Sequence, residues 1–174
     1  MALSKIANGG LAIGSQGFTE SSKITLDSAS HSVTGIPDGV REIHVLHNGA
    51  STSTTTPLMT LRLGTSSGLV TSGYVCQYSW IYDSNVVGRQ VSTTGFDITN
   101  WGTDPVLSGV WDLYRTNGTD DQWNCRYSTT IGTAYEGQLL GTGSLALSAP
   151  LDRVAFLCAG TGTFDAGTMQ VLYR

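Results

Sequence analysis

Charged residues are scarce in this sequence. Only 13% of its 174 residues are Asp, Glu, Lys or Arg, about half the share of an ordinary soluble domain. The nine basic residues form no run, and the net charge is −4 with a pI near 5.1. A phosphate backbone is gripped by clustered cations, so nucleic acid does not fit as a partner. Long apolar runs are missing too. Stretches such as Val154–Ala159 fall far short of the roughly 20 residues that cross a bilayer as a helix. The opening Met1-Ala-Leu-Ser-Lys5 has no continuous apolar segment of the secretory kind, so synthesis in a cytoplasm without export by that route is expected. The three cysteines, Cys76, Cys125 and Cys158, make no C-x-x-C pair, which leaves a zinc knuckle or a redox dithiol without support. Their apolar and aromatic neighbours predict buried free thiols. Helical sequence is also wanting, because no dozen-residue window carries an apolar stripe free of Gly and β-branched residues.

What is abundant is small and hydroxylated. Gly (22), Ser (19) and Thr (23) exceed a third of the chain, beside 40% hydrophobic residues. That apolar content is too high for a disordered polar tract, and the hydroxyls take over the role that ions have on most surfaces. Alternation of apolar and polar residues predicts strands at 23–26, 42–46, 58–63, 74–81, 106–114, 122–128, 145–147, 153–159 and 169–173. Gly35-Ile-Pro-Asp-Gly39, Asn48-Gly49, Asn117-Gly118 and Gly160-Thr-Gly162 read as turns between them. The pattern predicts an all-β fold, an antiparallel sandwich of the jelly-roll kind. Residues 18–174 form its single domain. Residues 1–17 carry isolated apolar side chains (Leu3, Ile6, Leu11, Ile13) among Gly and Ser. They read either as an edge strand of the same domain or as an arm that reaches a partner chain.

Motifs for catalysis are hard to find. His44 and His47 sit three apart on a predicted strand and therefore point to opposite faces, so they cannot share a metal ion without a bulge between them. No HExxH, G-x-S-x-G elbow, dinucleotide loop or Walker lysine occurs. The thirteen acidic residues show no spacing that pairs two of them across a cleft. Asn117-Gly-Thr-Asp-Asp121 offers oxygen ligands but lacks the alternate-position ligands of a calcium loop, and a hairpin turn accounts for it better. No catalytic residue, metal or cofactor is expected. Aromatic residues are concentrated instead. On the strand through Tyr74, Cys76, Tyr78, Trp80 and Tyr82 they share one face, which predicts an inner wall. Trp101, Trp111 and Trp123, where exposed, are the candidate glycan or subunit contacts.

Three motifs together carry a resemblance. Val33-Thr-Gly-Ile-Pro-Asp-Gly-Val40 runs into Ile43-His-Val-Leu-His-Asn-Gly-Ala-Ser-Thr52; Thr71-Ser-Gly-Tyr74 follows; and Thr163-Phe-Asp-Ala-Gly-Thr-Met-Gln-Val-Leu-Tyr173 closes the chain. Over about residues 23–174 the sequence resembles small β-sandwich modules of tailed-bacteriophage virion proteins, which occur as stand-alone capsid decorations and fused to tail fibres. The resemblance implies a structural protein that decorates or cements the outside of a phage capsid as a homo-oligomer, most simply a trimer. Its partners would be the major capsid protein and copies of itself, at the virion surface, after assembly in the bacterial cytoplasm. Leu3, Ile6, Leu11 and Ile13 would then belong to a capsid- or partner-binding arm. The alternative is a tail-fibre protein that recognises host surface glycans, and the opening Met1-Ala-Leu-Ser-Lys-Ile6 is similar to that of short tail-fibre proteins. The resemblance brings no catalytic residues. It implies a tight turn at Pro37-Asp38-Gly39, Phe164 as a core plug, Asp165 as a turn cap and Gly167 as a backbone bend.

Overall fold

A computed structural model describes residues 17–54, 58–82, 87–99, 106–116, 121–132, 137–160 and 162–174. They hold fourteen strands and no helix: β1 (Thr19–Glu20), β2 (Ile24–Thr25), β3 (Ser30–Thr34), β4 (Glu42–Thr52), β5 (Leu58–Thr65), β6 (Gly68–Leu69), β7 (Val75–Tyr82), β8 (Val87–Ser92), β9 (Phe96–Thr99), β10 (Val106–Arg115), β11 (Gln122–Gly132), β12 (Gly137–Ala146), β13 (Arg153–Ala159) and β14 (Phe164–Tyr173). Every pairing is antiparallel. A nine-stranded sheet runs β1-β14-β4-β10-β11-β12-β7-β8, with β2 also on β14. A five-stranded sheet runs β3-β13-β5-β6, with β9 also on β5, along the same edge as β6 and opposite β13. The protein is therefore a β-sandwich, and the chain crosses repeatedly from one sheet to the other.

One core fills the space between the sheets. Trp111, Trp123, Tyr74, Phe96, Phe156 and Phe164 are its largest fully buried side chains. Phe164 and Phe156 lie 4.7 Å apart between ring centroids, and Phe156 meets Trp111 edge-on at 5.0 Å. Such a chain of tilted rings adds to the area each removes from water. The strand face read from Tyr74, Cys76, Tyr78 and Tyr82 is indeed buried, while Val75, Gln77 and Ile81 on the opposite face are exposed. Two tyrosine hydroxyls tie the layers together. Tyr74 accepts the Leu63 N–H of β5 at 2.8 Å, and Tyr127 of β11 donates to the Asp97 carbonyl of β9 at 2.7 Å. Burial pushes the Tyr74 phenol up to about 12 and drives Tyr127 upward as well.

The many glycines have a steric reason inside the large sheet. Gly141 pairs across with both Tyr127 and Tyr78, Gly88 with Trp80, and Gly137 with Tyr82. A Cβ at Gly141, Gly88 or Gly137 would collide with the ring of Tyr127, Trp80 or Tyr82, respectively. An aromatic ring folded over a cross-strand glycine supplies the bulk that the glycine lacks.

Several expectations change here. Trp111 and Trp123, candidate contacts only where exposed, are 0% and 1% exposed and so make no surface contact. The alternation of β10 and β11 turns them inward with Leu113, Cys125 and Tyr127. Asn48-Gly49 is not a turn between strands but lies within β4. Gly49 (φ 64°) and Gly167 (φ 104°) sit side by side where the β4–β14 register slips. A β-bulge of this kind needs the left-handed conformation that glycine adopts freely. Gly167 thus bends the backbone as expected. Asp165 accepts a hydrogen bond from Ser51, and Phe164 is buried. The turn at Pro37-Asp38-Gly39 closes through the Pro37 carbonyl and the Val40 N–H. Strands β1, β3, β6, β8 and β9 have no counterpart among the strands that alternation predicts.

Candidate functional site

The outer face of the nine-stranded sheet is the largest organised surface. Registers across β4, β10, β11, β12, β7 and β8 place its side chains in rows. One row reads His44, Asp112, Arg126, Thr142, Gln77, Val91; the next reads Leu46, Val110, Ser128, Leu140, Ser79, Arg89. The face changes character from one end to the other.

Its β4–β10 end is ionic. His44 Nδ1 lies 2.6 Å from Asp112 Oδ1, and its Nε2 lies 3.1 Å from Glu42 Oε1. Arg126 Nε donates to Asp112 Oδ2 at 3.1 Å, and Arg174 Nε donates to Glu42 Oε2 at 2.6 Å. The Arg174 guanidinium also covers the Phe18 ring at 4.6 Å, and Phe18 meets His44 edge-on. Each imidazole nitrogen faces the carboxylate of a strand neighbour, Asp112 at Nδ1 and Glu42 at Nε2. The cluster links β4, β10, β11 and Arg174 through side-chain contacts.

The β7–β8 end is apolar. Of the six exposed large hydrophobic side chains among the described residues, Val75, Ile81, Val87, Val91 and Leu140 gather here on β7, β8 and β12, and Leu46 lies apart on β4. Val75, Val87 and Val91 are 71%, 69% and 73% exposed. Around them stand neutral polar groups (Gln77, Ser79, Thr142, Gln138), with Arg89 as the charge on β8. Scattered exposed hydrophobics need no explanation, but a grouped set marks an interaction surface. Composition and motif reading missed this feature. Its signal was the alternation Val87-Gly-Arg-Gln-Val91, which a glycine and an arginine disguise.

The residues singled out from sequence fall as follows. Leu3, Ile6, Leu11, Ile13 and Trp101 lie outside the described residues, as do Asn117 to Asp120. Asp121 is held by Arg115 at 2.5 Å, so its carboxylate already has a cation. His47 is opposite in orientation to His44, buried against Trp111 and Phe156 at 4.6 and 5.5 Å. Burial lowers its pKa from 6.5 to about 3. All three cysteines are free and buried, and burial raises each thiol. Among the described residues no group of His, Cys, Asp and Glu is placed to hold a metal ion.

Comparison with known proteins leaves this surface to speak for itself. No family model matches the chain, and no curated protein does. Among solved structures, the chain is weakly similar to one described as "Structure of infectious bursal disease virus Gt strain", at 15% identity and a TM-score of 0.15. The match covers 90% of this chain and 41% of the other.

Proposed function

We propose that this protein is a structural component of a tailed-phage virion, a homo-oligomer that decorates or cements the outside of the capsid. The observation that carries the reading is the apolar β7–β8 end of the outer sheet face, where Val75, Ile81, Val87, Val91 and Leu140 gather. Such a surface works by being covered rather than by turning over a substrate. The resemblance of the three sequence motifs to phage virion modules supplies the setting, and the sparse charge suits a shell protein that is packed against neighbours. Copies of the chain on a symmetric lattice would cover one another's edge strands. The glycan-binding alternative loses its main support in the described residues, since Trp111 and Trp123 are inside the core. Purified chain should bind decoration-deficient heads and co-sediment with them, saturating at a fixed number of copies per particle. Failure to co-sediment at any concentration would overturn the proposal.

A further inference from the structure

We propose that residues 10–14 of one copy add as a strand to the β8 edge of a neighbouring copy. Leu11 and Ile13 would then lie on the same face as Val87 and Val91. The inference deepens the homo-oligomeric part of the function proposed above and rests on it. It starts from β8, which pairs with β7 on one side and with no described strand on the other. An open edge with exposed valines is a template for another chain. Self-pairing of two β8 strands is unfavourable. The antiparallel register that sets Val87 opposite Val91 of the second copy also sets Arg89 against Arg89, and opposed like charges destabilise a strand pair.

Gly10-Leu-Ala-Ile-Gly14 fits the vacancy. Its two large apolar residues are two apart, so they share one face of an extended strand, and neither carries charge. Geometry makes the contact intermolecular. The described chain begins beside β1, at the opposite edge of the sheet from β8. Seven strand spacings separate the two edges, about 34 Å at the usual spacing. Leu11 is seven residues from Phe18 and Ile13 is five, so full extension carries them only about 24 and 17 Å. They cannot reach their own β8. They can reach that of a neighbour whose β8 edge abuts the β1 edge, and such a head-to-tail contact closes into a ring where the rotation permits.

The test uses the full-length chain and two variants, Leu11→Lys/Ile13→Lys and Val87→Lys/Val91→Lys, measured by light scattering coupled to gel filtration. Wild type should be a closed oligomer and each variant a monomer with unchanged circular dichroism. Mixed in equal amounts, the two variants should form a one-to-one dimer, because one keeps the edge and the other keeps the arm. A mixture that stays monomeric, or an arm variant that stays fully oligomeric, would overturn the inference. Should a variant fail to fold, hydrogen exchange on wild type decides. The 87–92 amides should slow by about tenfold or more as concentration carries monomer into oligomer, and unchanged exchange would overturn the inference. Particle binding is read separately. Oligomers that ignore phage heads would sink the capsid role alone, and monomers that bind heads would sink the arm exchange alone.

Discussion

Lowering the pH from 7.5 to 5 should destabilise this protein by about 2 kcal/mol through His47 alone. The ring is buried between Trp111 and Phe156, with Nε2 3.4 Å from the Thr129 hydroxyl and Nδ1 without a partner among the described residues. Its pKa falls from 6.5 to about 3 because burial penalises the charged imidazolium. The unfolded chain therefore takes up a proton below pH 6.5 that the native state refuses until about pH 3. Stability from this group is fully present above 6.5 and drains away as pH falls toward 3. Proton linkage between those two values gives about 2 kcal/mol at pH 5. Urea unfolding followed by fluorescence of the buried Trp111 and Trp123 would measure it at both pH values, for wild type and His47→Leu. Subtracting the variant removes the contribution of His31, His44 and the carboxylates. Equal losses in wild type and His47→Leu between pH 7.5 and 5 would refute the reasoning.

Other perturbations probe the fold at separate points. Tyr127→Phe should cost about 1–2 kcal/mol in urea unfolding, because the Asp97 carbonyl loses its donor while the ring still covers Gly141; a loss below a few tenths would mean the hydroxyl does not tie the sheets. Gly167→Ala should lower stability by at least about 2 kcal/mol, since φ is 104° and the new methyl would press on the backbone of Gly49 and Ala50. A neutral result there would contradict the bulge. None of Cys76, Cys125 and Cys158 should react with an aromatic disulfide reagent in the native state, and all three should react in denaturant; a rapidly modified native thiol would place one of them at the surface.

The sequence reveals this fold where each strand carries its own pattern and hides it where the pattern is shared. The predicted strand at 153–159 matches β13 in both bounds, because an apolar run from Val154 to Ala159 ends at Gly160. Of β12, the alternation predicts only the end near Leu145. Gly137, Gly141 and Gly143 show no apolar alternation, since the bulk that fills their places belongs to Tyr82, Tyr127 and Phe96 on other strands. No single-strand reading can see a side chain lent by a neighbour. Asn48-Gly49 misled for a related reason: the dipeptide that makes a hairpin turn also makes a bulge, and only the β14 register decides between them. The opposed faces of His44 and His47 followed directly from strand geometry. The tryptophans did not, because their exposure depends on which face of β10 and β11 meets the second sheet. The apolar β7–β8 surface is not legible because Arg89 interrupts Val87 and Val91 on their shared face, and only the pairing with β7 shows that this face is the outer one.

The capsid role is tested most directly by immunogold electron microscopy of purified phage particles, with an antibody against this chain. Gold distributed over the heads is the predicted result. Gold confined to the tail tip, or particles that carry no label, would contradict it.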